Sequence, residues 1–307
     1  MGHPTLASLT ALAVATASPA QAQQPAGMDF SNLESDTRAA IEAGNIYIPD
    51  GQWRLTRSDG ECSIRRDYLR GDERVTLLLS RMIEGDEMQI ALIGSDLSPR
   101  DEISAGYIPG PANALHPITD IAEATLGDRD GILYVAHPFG AQRETSSIEN
   151  LAAMETYYYV LEAPREEPVV LRTGPMNLAL NGLTNCNRQK LRDFGVDIDN
   201  LTRFRQRASL RNTEDVTRRL QQAYPSQPGR GLVGGPVQIR TIVGPDGKVT
   251  ECHVAALISH VSLREAACAI VTQYAQFDPA LDRNGEPATD FSVSNIRYTF
   301  DPPARGY

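Results

Sequence analysis

The sequence predicts an α+β protein: an N-terminal mixed domain with a β-meander and helices, then a small domain of helix, β-hairpin, helix and β-strand. Four β-rich runs follow one another closely between Trp53 and Ile93. Two more flank Pro245-Asp246-Gly247, a turn in which Pro presets φ and Gly accepts a positive φ. After Ser262, an apolar stripe with helical spacing precedes a last β-rich run, so a helix can cover a small sheet.

The first residues are typical of a secretory signal peptide. Residues 6–17 form an apolar run of about 12 residues, which is too short for the roughly 20 that cross a bilayer. Ala20-Gln21-Ala22 then supplies the small residues that signal peptidase accepts. We expect residues 1–22 to be cleaved and the rest to be exported. Because no Lys or Arg precedes the apolar run, an uncleaved weak anchor stays open as the alternative.

The N-terminal domain is expected at residues 29–200, beginning with a polar lead-in at 29–45. Asp59-Gly60 predicts a two-residue turn between its first two strands. Alternation and β-branched content predict strands at 53–58, 61–68, 75–79, 88–93, 133–136, 157–161 and 169–172. Most of the region 95–140 is rich in Pro, Gly and Asp and gives only weak signals.

Two helices are predicted in the same domain. Ser146 and Glu149 have the spacing of a capping box, which predicts a helix from 146 to 154. The second helix carries an apolar stripe formed by Met176, Leu180, Leu183 and Leu191. Gly195 supplies the left-handed residue that commonly ends a helix.

The small C-terminal domain is expected at residues 212–303. Its hairpin spans 236–249, and Ser262 and Glu265 form a second capping box at the start of the helix that follows. The apolar face of this helix consists of Leu263, Ala266, Ala267, Ile270, Val271 and Tyr274. Phe277-Asp278-Pro279-Ala280 ends the helix, and residues 291–300 form the last strand.

The net charge of −10 is unevenly distributed, with its acidic excess in residues 29–187. An acidic body argues against nucleic-acid binding, which relies on clustered cations. The exception is a basic linker expected at residues 201–211, with the run Arg203-Phe204-Arg205-Gln206-Arg207. A solvated helix or linker is the simpler interpretation, and an anion site is the alternative.

The four cysteines predict disulfides, because an exported chain reaches an oxidising compartment. Four cysteines allow three pairings, and their distribution favours one bond per domain: Cys62 with Cys186, and Cys252 with Cys268. Cys268 lies about 130° from the centre of its helix's apolar face, which suits a flank residue reaching Cys252 on the neighbouring strand. Four unpaired buried thiols are the alternative.

The C-terminal motifs, taken together, resemble the C-terminal domain of the TonB energy-transducer family. They comprise Tyr224-Pro225, the Asp-Gly hairpin, the helix 263–274, Phe277-Asp278-Pro279-Ala280 and the closing strand. The resemblance covers roughly the last 90 residues and implies a periplasmic domain that binds the TonB box of outer-membrane receptors as an added strand. The contact residues would be Phe291, Val293, Asn295, Arg297 and Thr299 on an edge strand.

The N-terminal part resembles the exported domain that precedes TonB-like domains in some alphaproteobacteria, on the basis of Trp53, Cys62, Cys186 and Phe194-Gly195-Val196-Asp197. A full transducer needs an inner-membrane anchor and a long Pro-rich spacer. Here the apolar run is short and the 20 prolines are dispersed. The sequence therefore favours a periplasmic interaction module over energy coupling in the usual sense. A disulfide-stabilised structural or adaptor protein is the first alternative, and a homodimer stays open.

An enzyme carried by the N-terminal domain is the least favoured hypothesis, and we expect no catalytic residue, metal or cofactor. His116 and His137 each precede a proline in loop-like sequence, while His253 flanks a strand. None has the i, i+4 partner of a helical metal site, and no Gly-x-Ser-x-Gly motif is present to complete a triad with His137. The acidic fragments at 128–131 and 197–200 lack the full calcium-loop pattern and are simpler to interpret as turns.

Overall fold

The computed structural model of the chain describes residues 28–58, 62–82, 87–94, 97, 102–109, 115–119, 121–137, 146–164, 166–223, 236–254 and 261–297. The signal peptide expected at 1–22, the Asp59-Gly60 turn, Tyr224-Pro225 and Thr299 lie outside these residues. In the described part of the chain, none of the helices has the length and apolar character that crossing a membrane requires.

Helices and strands both contribute to the fold, which confirms the predicted α+β class. The helices are α1 (Ser35–Ala43), α2 (Ser146–Glu155), α3 (Asn177–Asp193), α4 (Thr213–Ala223) and α5 (Val261–Tyr274). The strands up to residue 172 are β1 (Ile48–Arg57), β2 (Cys62–Arg70), β3 (Glu73–Arg81), β4 (Met88–Ile93), β5 (Ile103–Ile108), β6 (His116–Ile118), β7 (Ile121–Leu126), β8 (Arg129–Ala136), β9 (Tyr158–Glu162) and β10 (Val169–Arg172). The later strands are β11 (Ser209–Leu210), β12 (Pro236–Val243), β13 (Val249–Val254), β14 (Phe277–Asp278), β15 (Ala280–Leu281), β16 (Pro287–Ala288) and β17 (Asp290–Arg297).

The N-terminal body, residues 28–200, contains two antiparallel sheets that share one hydrophobic core. The first sheet has the order β1-β2-β3-β4-β8-β7, and the second has the order β10-β9-β5-β6. Leu77, Ile90 and Tyr134 from the first sheet meet Tyr107 and Leu161 from the second in this core. The predicted meander is the run β1 to β4, whose strands are neighbours in chain order.

Helices cover the remaining apolar surfaces of the body. Ile41 of α1 packs against Tyr158 and Val160 on the outer face of the second sheet, while Tyr159 points into the shared core. The consecutive tyrosines therefore alternate between two faces, as residues of a strand must. Leu183 of α3 packs into the same core.

The strands β5, β6 and β7 fall in the region that gave only weak signals in the sequence. β6 has only three residues and includes Pro117, which its place at the edge of the second sheet permits because no inner neighbour needs the missing N–H. His116, which the sequence placed in a loop, is therefore the first residue of a strand and pairs with Ala105. A three-residue strand such as β6 carries too few alternating residues for a periodic signal.

The C-terminal unit, residues 212–297, has the predicted order of helix, hairpin, helix and strand. Its main sheet has the order β13-β12-β17, and α4 and α5 cover one face through Val216, Leu220, Ala267 and Val271. The other face of the sheet packs on the N-terminal body, where Ile242 and Phe291 join a cluster with Leu191, Val196 and Ile198.

The turn between β12 and β13 requires glycine for two reasons. Gly247 has φ 75°, and a Cβ built on it would lie 2.6 Å from the carbonyl oxygen of Phe277. The turn is closed by the Gly244 amide, which donates to the Lys248 carbonyl at 2.8 Å. The hairpin therefore also presses against the segment that follows α5, and any larger residue at 247 would separate the two.

Candidate functional site

β17 is an edge strand of the C-terminal sheet. It pairs with β12 along its length, from Val243 opposite Asp290 to Pro236 opposite Arg297, and no other strand of the described chain adjoins it. An edge strand directs the N–H and C=O groups of every second residue away from its sheet. These backbone groups can bond an additional extended chain.

Of the predicted contact residues, Phe291, Val293 and Asn295 share the face of β17 that turns toward the N-terminal body, because alternate residues of a strand lie on one face. Phe291 is only 8% exposed, and Val293 packs beside it against the same cluster. Asn295 is exposed, and its side-chain amide donates to the Glu87 carboxylate. Arg297 ends the strand, and Thr299 lies outside the described residues. The first two side chains are thus engaged inside the chain, whereas Asn295 remains accessible.

Arg207 contacts the first two residues of this edge strand. Its Nε and Nη2 atoms each donate to the Asp290 carboxylate at 2.7 Å, and its guanidinium carbon lies 5.0 Å from the centre of the Phe291 ring. Asp290 and Phe291 are consecutive, so their side chains point to opposite faces, and a group that contacts both lies at the margin or start of the strand. β12 occupies the inner margin. The part of the edge after Phe291 lies beyond these contacts of Arg207.

Asp290 is the buried anchor for this arrangement. Its side chain is fully buried, and it accepts a third hydrogen bond from the Ala208 amide at 2.8 Å. A buried carboxylate is costly unless charged donors and amides satisfy its oxygens. Arg207 and Ala208 together meet this requirement and fix the preceding segment to the start of β17.

That segment, residues 201–211, was predicted as a basic linker, and we call it the strap. It begins with one 3₁₀ turn at Leu201–Arg203. The Arg205 amide then donates to the Leu281 carbonyl at 2.9 Å, and β11 pairs with β14. Backbone hydrogen bonds therefore attach the strap to the short strands after α5.

A seam joins the C-terminal sheet to the N-terminal body, and Arg240 lies at its centre. Arg240 is fully buried on β12, and its Nη1 atom donates to the Met82 carbonyl at 2.8 Å across the seam. Its guanidinium carbon is 5.9 Å from the Phe194 ring, which stacks on His253 of β13 at 4.8 Å between ring centres. Both β12 and β13 thus contact the body.

Glu87 brings the N-terminal body to the open part of the β17 edge. Besides its bond with Asn295, Glu87 has an oxygen 3.9 Å from Nε2 of His137. The side chain of Glu87 is 36% exposed and that of His137 is 34% exposed. The carboxylate is thus next to the edge strand and accessible from solvent.

The cysteines lie in the two pairs that their distribution favours. The Cα atoms are 6.1 Å apart in Cys62–Cys186 and 5.5 Å apart in Cys252–Cys268, and both pairs are bonded. The first bond attaches α3 to β2. The second attaches α5 to β13, so it holds the covering helix on the sheet that carries the edge.

The three histidines in the described part of the chain have different environments. His137 contacts Glu87 just after β8, His116 begins β6, and His253 stacks on Phe194. Within the described ranges there is no group of three or more His, Cys, Asp or Glu side chains that could hold a metal ion. The contact that His137 makes within the described residues is with the Glu87 carboxylate, which supplies no nucleophile for a triad.

Several residues at the site could not be identified from the sequence. Arg207 and Asp290 are separated by 83 residues, and Arg240 and Met82 by 158. No local spacing links such pairs. The only signal in the sequence is the cationic run of the strap, which indicates positive charge but does not identify the carboxylate that pairs with it.

Comparison with known families gives one match. Residues 221–301 match the family model described as the Gram-negative bacterial TonB protein C-terminal. The match includes the end of α4, the hairpin, α5 and β17, and it covers less than a third of the chain. No significant match was found among curated proteins or among solved structures.

Proposed function

From the family match at residues 221–301, we propose that this chain is a periplasmic interaction protein associated with TonB-dependent outer-membrane transport. Its C-terminal unit would bind an extended peptide, such as the TonB box of a receptor, by strand addition to β17. The role is one of binding rather than catalysis. The N-terminal body would position and stabilise the binding unit.

The observation that carries this proposal is the position of β17 in its sheet. Its inner side is fully paired with β12, while its outer side adjoins no other strand of the described chain. In strand addition, backbone hydrogen bonds supply affinity and alternate side chains supply selectivity. The burial of Phe291 and the partial burial of Val293 do not conflict with this mode, because the bonding groups belong to the backbone.

Both faces of the C-terminal sheet are engaged within the chain. One face carries α4 and α5, and the other packs on the N-terminal body. The Cys252–Cys268 bond further ties β13, at the opposite edge, to α5. This arrangement supports β17 as the place where a partner pairs.

The proposal can be tested with a fluorescent peptide that carries a TonB box and the full, oxidised chain. Two further versions of the peptide would be N-methylated on alternate backbone amides, one on the odd and one on the even positions. In strand addition only one set of amides faces the protein. We expect one methylated version to lose binding and the other to retain it.

A scrambled peptide of the same composition is the matched control. Equal binding of both methylated versions would contradict strand addition, because an N-methyl group replaces the amide hydrogen that must donate to β17. Failure of the unmethylated peptide to bind the oxidised chain would reject the TonB-box assignment itself.

A further inference from the structure

The N-terminal body contributes a charged group to the open edge, and this contribution has a consequence for partner choice. Arg207 contacts the first two residues of β17, which leaves the part of the edge after Phe291 for a pairing strand. Asn295 is within that part, and its side chain is bonded to Glu87 of the body. A carboxylate from outside the C-terminal unit therefore borders the path of the peptide.

The geometry of paired strands brings one peptide side chain close to this carboxylate. Residues opposite each other in paired strands have Cβ atoms about 4.5–5.5 Å apart on the same face. The peptide residue opposite Asn295 would therefore project toward the body beside Glu87. In the described part of the chain, no strand pairs with the outer side of β17 at this position.

Glu87 has spare capacity to accept a cation. The contacts that it makes within the described residues are with the neutral Asn295 amide and with His137 at 3.9 Å, and no Lys or Arg pairs with it there. At 36% exposure the carboxylate remains accessible to a ligand. An acidic peptide side chain at this position would meet a like charge, whereas Lys or Arg would gain an ion pair.

We propose that Glu87 makes the β17 edge selective for an extended peptide with a cationic side chain opposite Asn295. The inference rests on the strand-addition function proposed above and assigns the N-terminal body a part in partner choice. Selectivity of this kind requires both units in one chain, because Glu87 and Asn295 are 208 residues apart.

The test is a positional scan of the TonB-box peptide against the full, oxidised chain. At each position in turn the peptide carries Lys, Gln or Glu, and binding is measured by fluorescence anisotropy. At one position we expect Lys to bind about 2- to 5-fold more tightly than Gln, and Glu to bind more weakly than both, as is typical of partly exposed ion pairs. Raising the salt concentration should reduce the preference.

Two protein variants decide whether Glu87 is responsible. Glu87→Gln keeps an oxygen that can accept from Asn295, and it should remove the preference while leaving binding of the Gln peptide within about 2-fold. Glu123→Gln changes an exposed carboxylate on β7, the last strand of the first sheet, and should keep the preference.

The possible outcomes separate the two proposals. A preference for Lys that persists unchanged in Glu87→Gln, or a scan with no preference at any position, would overturn the role of Glu87 while strand addition stands. If no peptide of the scan binds the oxidised chain, the proposed function fails and the inference fails with it.

Discussion

At the scale of single residues, Asp290 shows how the strap depends on one buried carboxylate. Asp290→Asn keeps the shape but weakens the charge-assisted bonds from Arg207 and the Ala208 amide. Because Arg207 is 45% exposed and can return to water, we expect a moderate loss of about 1–3 kcal/mol in the free energy of unfolding. The urea midpoint of the oxidised chain measures this change.

The matched control for Asp290→Asn is Asp215→Asn. Asp215 also pairs with two arginines, Arg218 and Arg219, but on the exposed surface of α4. Its replacement should reduce the free energy of unfolding by no more than about 1 kcal/mol. Equal losses in both variants would show that burial of Asp290 does not strengthen its pairing.

A second prediction at the residue scale concerns the tyrosines of the core. Burial raises the pKa of Tyr68, Tyr107, Tyr134 and Tyr159. The hydroxyl groups of Tyr134 and Tyr159 are hydrogen-bonded to each other. A raised pKa means that the folded chain holds these protons more tightly than the unfolded chain. Their contribution to stability is therefore complete below the unfolded pKa of about 10, and it falls as the pH rises above this value.

The alkaline loss can be measured from urea midpoints between about pH 8 and pH 11. We expect the midpoint to fall steeply above about pH 10, and to fall less steeply in Tyr134→Phe, which has one fewer buried group to ionise. Ultraviolet absorbance gives the number of tyrosinates formed. If the folded chain formed tyrosinate at the same pH as the chain in urea, the assigned direction of the pKa shifts would be wrong.

At the scale of elements, the two disulfides stabilise different pairs of elements through loops of unequal length. The Cys252–Cys268 bond joins residues 16 apart, and the Cys62–Cys186 bond joins residues 124 apart. In the chain-entropy model these loops contribute about 3 and about 5 kcal/mol. Replacing both cysteines of each pair by Ala should therefore lower the urea midpoint more for Cys62–Cys186 than for Cys252–Cys268.

The comparison of the two double variants contains its own control, because each variant removes two sulfur atoms and one disulfide bond. Hydrogen exchange would locate the effect, with faster exchange in β13 and α5 for the short loop and in β2 and α3 for the long one. The reverse order of midpoints would mean that interactions in the native state outweigh loop entropy here.

Elements with local signals could be predicted from the sequence, whereas elements defined by distant partners could not. The hairpin at Pro245-Asp246-Gly247 and the helix α3 depend on turn chemistry and on apolar spacing within a few residues. β5, β6 and β7 acquire their strand structure from neighbours elsewhere in the chain. For the same reason, β17 could be predicted as an edge strand from local sequence, whereas its contacts with Arg207 and Glu87 could not, because only the fold brings these residues to it.

At the scale of the whole molecule, the seam determines whether the C-terminal unit and the N-terminal body unfold together. Arg240→Ala removes a fully buried side chain and leaves the Met82 carbonyl without this donor. The resulting cavity and the lost bond should lower the free energy of unfolding by about 2–4 kcal/mol. We expect hydrogen exchange to increase on both sides of the seam, in β12 and in the segment after α3.

Arg218→Ala provides the control for the seam, because its side chain is 61% exposed on α4. It should change the urea midpoint little, since surface substitutions usually have small effects. If Arg240→Ala increased exchange only in β12 and not in the N-terminal body, the two units would be independent in stability despite their contact.

The pairing of the four cysteines has a consequence for the order in which bonds can form during biogenesis. Both bonds join cysteines that are consecutive along the chain, the first with the second and the third with the fourth. In a chain that enters an oxidising compartment from its N-terminus, each unpaired cysteine would meet its native partner as the next to emerge. Vectorial oxidation alone would then produce the native pairing, and maturation would need an oxidase but no disulfide isomerase.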